Sequence, residues 1–256
     1  MMDVSSASAQ ADSRVLWLDQ TLPSAEENLA LDEALLEACD AGELPATLRF
    51  WEPQGPFVVV GYSNSIGSEV DRAACQRAGI QILRRCTGGG TVVQMPGVLN
   101  YNWVSFIPES GPLATLAGTN AWVMKRVREA LSTLPGMGGR LSIRGTTDLC
   151  LDHQKCIGSA QRRKKNALVF HGSILLDAKL GLLESVLRMP TKQPEYRAGR
   201  SHQDFCINLQ LDSQSVKAAL KERFGASERL ADPPMDRVAR LVKERYSQAS
   251  WNEKCP

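Results

Sequence analysis

What the chain lacks narrows its class first. No apolar run among its 256 residues approaches the ~18 that a membrane span needs, so no membrane anchor is expected. Charge of one sign is missing too. Thirty Lys and Arg against 28 Asp and Glu leave a net charge of +2, far from the basic excess of a general nucleic-acid binder. Residues 1–13 hold neither the apolar core of a secretory signal nor any Arg, which argues against export and against a transit peptide. A cytoplasmic protein with a frayed tail over 1–13 is expected. The seven cysteines are odd in number and scattered, as in reduced cytosolic proteins rather than disulfide scaffolds. There is no internal repeat and no linker long enough to divide the chain. Residues 14–256 are therefore read as one domain. A composition 43% hydrophobic and 23% charged excludes disorder and collagen-like repeats.

What is present is an interleaving of helix and strand signals. Arg14–Asp19 reads as a strand. Ser24 and Glu27 form an S-x-x-E capping box at the head of a helix running to Ala41, with Gly42 as its stop. Leu48–Trp51 and Phe57–Gly61 read as paired strands split by Pro53 to Pro56. A short helix over Ser68–Ala78 follows. Strands are expected over Gln81–Arg85, Thr91–Gln94 and Leu99–Phe106, and a helix over Asn120–Leu134. Asp148–Leu151, Lys155–Ala160 and Ala167–Leu176 are strand-like runs with links of a few residues, which makes them antiparallel neighbours. A helix over Leu180–Leu187 and a polar stretch after Pro190 come next. Helices over Ser213–Phe224 and Met235–Tyr246 make residues 211–256 a helical appendage. The fold class is α/β (α+β), one domain with a mixed sheet.

Three segments carry candidate chemistry. The first is Arg84-Arg85-Cys86-Thr87-Gly88-Gly89-Gly90-Thr91-Val92-Val93. Three successive glycines cost backbone entropy, and a strand-to-strand turn needs fewer. The run reads either as a tight turn with a bulge or as a loop whose bare N–H groups face an anion. It is not a P-loop, because the Gly-Lys-Ser/Thr ending is missing and a strand follows. The second is Lys155, at the mouth of a strand that continues through Gly158, Ser159 and Ala160. A lone Lys is usually a solvated charge. Beside small and apolar residues it can bring fixed positive charge to growing negative charge on an oxygen. The third is His171-Gly172-Ser173 within an apolar strand, a satisfied core histidine or a site where a ligand approaches the backbone. Asp148 is a candidate for a metal carried by phosphates. Cys150, His153 and Cys156 lack a zinc-knuckle spacing and a fourth ligand. Arg162-Arg163-Lys164-Lys165 reads as a solvated turn or a contact for an acidic partner. Tyr196-Arg197 through His202 is a lid or partner-contact loop.

In order and spacing these segments resemble the lipoate–protein ligase A family of the lipoate/biotin ligase superfamily. Glu27–Leu35 is similar to the family's first helix, and Phe57–Tyr62 with Asn64 to its next strand and turn. Arg84–Val93 is similar to its triple-glycine loop, Asp148-Leu149 with Lys155–Ala160 to its lysine hairpin, and His171–Leu175 to its His-Gly strand. Tyr246–Asn252 is similar to the segment that closes the large domain, so the chain resembles a short form without a C-terminal accessory domain.

The resemblance implies a mixed, largely antiparallel sheet flanked by helices, like the catalytic core of class II aminoacyl-tRNA synthetases. It implies a ligase that uses ATP with Mg2+ to turn lipoate or octanoate into acyl-AMP. The acyl group then passes to a lysine of a lipoyl carrier domain, an E2 subunit or a glycine-cleavage H-like protein. Some short forms work with a separate accessory subunit. Carried over by position, Arg84, Arg85, Gly88, Gly89, Gly90, Thr91, Val92 and Val93 would hold ATP or acyl-AMP. Gly61, Gly158, Ser159, Ala160, His171, Gly172 and Ser173 would hold the acyl substrate. Lys155 would contact both as the catalytic group, and Asp148 would meet the metal. The family's His-Asp after the glycine loop is Gln94-Met95 here. The rival is an octanoyltransferase working through a Cys thioester, but residues 135–147 and 188–194, where its branches place that cysteine, contain none. A non-catalytic binder is the third reading.

Overall fold

A computed structural model describes residues 14–190 and 192–256, so the tail read over 1–13 lies outside the described residues. The chain runs β1 (Val15–Asp19), α1 (Ala25–Asp40), β2 (Ala46–Trp51), β3 (Phe57–Val60), α2 (Ile66–Glu69), α3 (Arg72–Arg77), β4 (Gln81–Arg84), β5 (Val92–Gln94) and β6 (Val98–Phe106). It continues through α4 (Leu116–Ser132), β7 (Leu141–Arg144), β8 (Asp148–Leu151), β9 (Gln154–Arg163), β10 (Ala167–Leu175), α5 (Gly181–Val186), α6 (His202–Phe205), α7 (Ser213–Phe224), β11 (Ala226–Arg229), α8 (Met235–Leu241) and α9 (Ala249–Asn252). Among the described residues no helix is long and apolar enough to cross a membrane.

The capping box forms as read. The Ser24 hydroxyl accepts from the Glu27 amide at 3.2 Å, and the Glu27 carboxylate accepts from the Ser24 amide at 2.9 Å. α1 buries Leu29 to Leu36 almost without remainder, because it is wedged between the main sheet and α8. That sheet has the order β11-β1-β2-β6-β10-β9-β8-β7. Side chains alternate across it. Phe50, Tyr101, Trp103, Leu168 and Phe170 pack under α4 and α7, and Val104, Ala167 and Val169 pack under α1. β6, β10, β9, β8 and β7 are antiparallel, as the short links require.

Four expectations needed correction. β2 and β3 do not pair. β2 already has β1 on one side and β6 on the other, so it has no free edge, and β3 enters a separate sheet of order β4-β3-β5. The helix expected over Ser68–Ala78 is broken at Val70, whose extended backbone bridges to Leu187, and Asp71 caps a new start by accepting from the Ala74 amide at 2.8 Å. β7 carried only four residues of signal and was not expected. The appendage over 211–256 is not purely helical. β11 adds a parallel edge strand to β1, and α9 locks onto Arg84.

Candidate active site

A cavity of about 690 Å³ opens between the glycine loop, the β8–β9 hairpin and the segment after α5. Lys155 stands on its wall. The β8–β9 register shifts between Leu149 and Cys150, a bulge that re-aims the side chains beside it. The Lys155 stem crosses over Gly158, where a Cβ would fall 2.8 Å from Cε. Its amine lies 2.7 Å from Asp148 Oδ1, and Tyr196 Oη donates to Asp148 Oδ2 at 2.6 Å. Both Asp148 oxygens are therefore engaged. Asp148 is held by these two partners on the cavity wall, and among the described residues no three His, Cys, Asp or Glu gather as a metal site. The residues do not by themselves fit a bound Mg2+.

The glycine loop is braced from beneath. Arg85 donates through Nε to Thr87 Oγ1 at 2.9 Å, and through Nη2 to the carbonyls of Gly88 at 2.6 Å and Gly90 at 2.7 Å. A peptide N–H points opposite to its carbonyl, so the amides of Gly89 and Thr91 face away from Arg85. Gly89 has φ +85°, open to glycine at little cost, and its carbonyl lies where a Cβ of Gly61 would sit, 2.1 Å away. Gly61 thus admits the loop rather than lining the cavity. Burial pushes the Arg85 guanidinium down to about 10, which leaves it charged near neutrality.

Arg84, expected at the nucleotide, is fully buried away from the cavity. Its guanidinium donates to the carbonyls of Gly61, Asn64, Asn252 and Cys255. β-strand alternation points the paired arginines to opposite faces, and only Arg85 reaches the site. Gly88 does not line the cavity either. Gly89, Gly90, Thr91, Val92 and Val93 do, with Gly158, Ser159, Ala160, His171, Gly172 and Ser173. Among the described residues two buried polar atoms on this wall have no partner, Thr91 Oγ1 and Trp51 Nε1, as suits a site that receives a polar ligand.

His171 joins the loop to the core. Nε2 lies 2.7 Å from Thr87 Oγ1, and Nδ1 lies 3.5 Å from Asp32 Oδ2. Asp32 in turn accepts from Arg49 Nη1 at 2.5 Å. Burial alone would raise the Asp32 pKa, but Arg49 and His171 outweigh it and hold the carboxyl below its ordinary range. Gln94 exchanges two 2.8 Å hydrogen bonds with Asn100 and donates to Ser173 Oγ at 2.9 Å, so the position where the family has His closes a neutral amide network.

With this geometry in view, residues 24–225 match the model of the lipoyl protein ligase A/B catalytic domain. The chain belongs to this family. It is 30% identical to the octanoyltransferase LipM of Kyrpidia tusciae over 78% of this chain and 82% of that one. It is 26% identical to lipoate-protein ligase A subunit 1 of Thermoplasma acidophilum over 93% and 95%. Its fold superposes, with TM-score 0.79 and 22% identity over 95% and 97%, on a chain from the bi-partite lipoate protein ligase and E2 lipoyl domain structure of T. acidophilum.

In this member of the ligase A/B catalytic-domain family the residues missed by sequence reasoning are Asp32, Trp51 and, as a partner of Asp148, Tyr196. The first two lay inside apolar element runs that read as packing. The polar segment around Tyr196 was visible, but nothing in it indicated which side chain turns inward. The basic tip is not a free patch. Arg162 donates to the Cys86 carbonyl, Arg163 to those of Leu113 and Ala114, and Lys164 pairs with Glu37. Of the cysteines only Cys206 lines the cavity, and burial raises its pKa. Cys86 is buried off the wall and pushed up to about 12.

Two predictions arise here. A Cβ on Gly172 would lie 2.5 Å from the buried Tyr101 ring and 2.7 Å from Ser159 Oγ. Gly172→Ala is expected to cost ~1–3 kcal/mol in chemical denaturation, the usual range for overpacking. A midpoint equal to that of the unmodified protein would refute the crowding argument. His202 Nε2 meets the Arg188 carbonyl at 3.1 Å, and burial lowers its pKa below 6.5. The unfolded chain then binds the proton more readily, so stability is full above pH ~6.5 and declines as pH falls below it. Thermal melts of His202→Gln should lack that share of the decline.

Proposed function

We propose that the chain is an ATP-dependent lipoate–protein ligase, which activates lipoate or octanoate and passes it to a carrier lysine. The observation that carries the reading is the Lys155 ammonium on a cavity wall shared with the glycine loop, without an activated thiol beside it. An acyl carboxylate oxygen attacks the α-phosphorus of ATP, and the bond to pyrophosphate breaks. The neutral carrier amine then attacks the acyl carbonyl, AMP leaves with the bonding electron pair, and the amine proton goes to solvent. Both steps build negative charge on oxygens that a fixed ammonium stabilises. Neither needs a covalent enzyme intermediate, so positioning does most of the work. Any Mg2+ would arrive on the triphosphate, and no step here depends on it.

The carrier is expected to be a lipoyl domain of an E2 subunit or an H-like protein. The relation to a subunit 1 and to a bi-partite ligase supports a separate accessory subunit. Octanoyl transfer is the second reading, favoured by the name of the K. tusciae relative and by Cys206 on the cavity wall. The test offers the full chain lipoate, ATP-Mg and apo carrier domain, and follows pyrophosphate and carrier mass. ATP-dependent acylation supports the ligase. Transfer from octanoyl-carrier without ATP, abolished by Cys206→Ser, overturns it for the transferase. Binding without either turnover, even with an accessory ligase subunit supplied, means a non-catalytic homologue.

A further inference from the structure

Lys155 does not face the cavity as a free charge. It is the last member of a chain of three groups, Tyr196–Asp148–Lys155, all of which line the cavity, at 2.6 and 2.7 Å. Tyr196 comes from the segment after α5, far in sequence from the β8–β9 hairpin that supplies the other two. That segment is built to hold one phenol in one place. Tyr196 lies in a single helical turn, Glu195–Arg197, entered from Pro194 and left through Ala198 at φ +52°. The Arg200 guanidinium spans the turn, donating to the Tyr196 and Arg197 carbonyls at 2.9 and 3.1 Å and to the His153 carbonyl of the hairpin at 3.2 Å. The buried Arg197 lies 4.7 Å over the Phe205 ring, and the Tyr196 ring lies 5.3 Å from Phe205 on a tilted face. Beyond it, the Ile207 amide donates to the Lys155 carbonyl at 3.0 Å. One segment therefore grips both the backbone of Lys155 and the counter-ion of its amine.

The chemical consequence follows from the pairing. An ammonium neutralised by a carboxylate at 2.7 Å offers little charge to a substrate oxygen, because the anion must compete with Asp148. A hydroxyl that donates to the other carboxylate oxygen draws charge away from the contact and fixes the carboxylate plane. Burial and the Asp148 carboxylate push the Tyr196 phenol well above its usual range, so it stays a donor at any working pH.

We propose that Tyr196 is a positioning residue for the reaction: through Asp148 it keeps the Lys155 ammonium aimed into the cavity and ready to exchange its carboxylate for the anionic oxygen of the bound acyl substrate. This inference rests on the reading of Lys155 as the substrate-facing cation. It adds that the segment walling the cavity is part of the charge machinery and not only a cover.

The test is Tyr196→Phe in the full chain, which keeps the ring against Phe205 and removes only the donor. Two measurements are made. The first is steady-state kinetics in whichever mode the unmodified protein supports, ATP-dependent or ATP-independent. A fall in kcat of about tenfold, with KM for the acyl substrate changed less than about threefold, is expected from losing a hydrogen bond to a charged group. The second needs no turnover. Lys155 is labelled competitively with limiting acetic anhydride at pH 8 and quantified by peptide mass spectrometry, with the peptide of the exposed Lys243 as internal standard. With the donor gone, Asp148 holds the ammonium more tightly, so labelling of Lys155 should slow at least threefold relative to the standard.

The same change made in an Asp148→Asn background should add less than twofold to either readout, since Tyr196 then has no carboxylate to act through. Unchanged labelling and unchanged kcat in Tyr196→Phe would overturn the proposal. So would an equal loss with and without Asp148, which would mark a purely structural ring contact. An unmodified protein inactive in both modes, even with an accessory ligase subunit supplied, would count against the functional reading, while the labelling comparison would still decide the role of Tyr196.

Discussion

Lys155→Ala is expected to lower turnover by about a hundred- to a thousandfold, the scale associated with removing one preorganised donor from a site where oxygen charge develops. The fold should survive. The ion pair with Asp148 is partly solvent-exposed, with Lys155 at 27% side-chain exposure. Screening holds such pairs to at most about 1 kcal/mol. Asp148 also keeps its bond from Tyr196. Circular dichroism and a denaturant midpoint close to those of the unmodified protein should accompany the loss. Arginine is no substitute. The Lys155 amine lies 2.9 Å from where a Cβ of Gly158 would sit, and a planar guanidinium cannot place a compact charge at the same point. Lys155→Arg should therefore recover less than about a tenth of the lost rate. Turnover of Lys155→Ala within threefold of the unmodified protein, read by carrier mass, would remove the mechanism proposed here.

The second large effect concerns stability. Arg49 is fully buried, and its head group is held by Asp32 at 2.5 Å, by the Asn28 carbonyl and side chain at 2.8 Å, and by the Gln20 carbonyl at 3.1 Å. Asp32→Ala leaves that guanidinium without its counter-ion in the core. Breaking such a pair costs about 3–5 kcal/mol, a large fraction of a typical domain's stability. Replacing both by apolar residues of similar size, Asp32→Leu with Arg49→Met, should cost less than the single change, because no charge is stranded. The ordering of the two urea midpoints is the measurement, and the reverse order would refute the argument.

The pair also sets a pH dependence. The Asp32 carboxyl sits below its ordinary range in the folded protein. The stability it contributes is present above the ordinary value near ~3.9 and is lost as pH falls below that toward the folded one. Asp32→Asn should flatten the acid limb of the stability curve. The same carboxylate faces His171, whose other nitrogen meets Thr87 at the root of the glycine loop. A packing defect here would therefore reach the site as well as the core.

How far the sequence went can be judged on particular residues. The α1 cap and the antiparallel β8–β9–β10 run were legible, because each depends on neighbours a few positions away, whereas Gly158 to Ala160 were pointed to by the family resemblance. The pairing of β2 was not legible, since β1 and β6 claim its edges from distant parts of the chain. The resemblance put both Arg84 and Arg85 at the nucleotide, and strand alternation, which aims neighbours at opposite faces, does not say which of them turns away. The deciding contacts come from Asn252 and Cys255, some 170 positions later.

What the sequence determined by itself is the set of local devices: a capped helix, a glycine-rich turn with an arginine to brace it, and a lysine on a strand of small residues. Each follows from backbone propensity and side-chain period, which act over one or two turns of chain. What only the tertiary structure decided is which charges meet. Asp148 belongs to Lys155 and Tyr196, Asp32 to Arg49 and His171, and Arg84 to the C-terminal carbonyls. A buried charge takes the partner that burial leaves within reach, and that choice is made only once all the layers have closed around it.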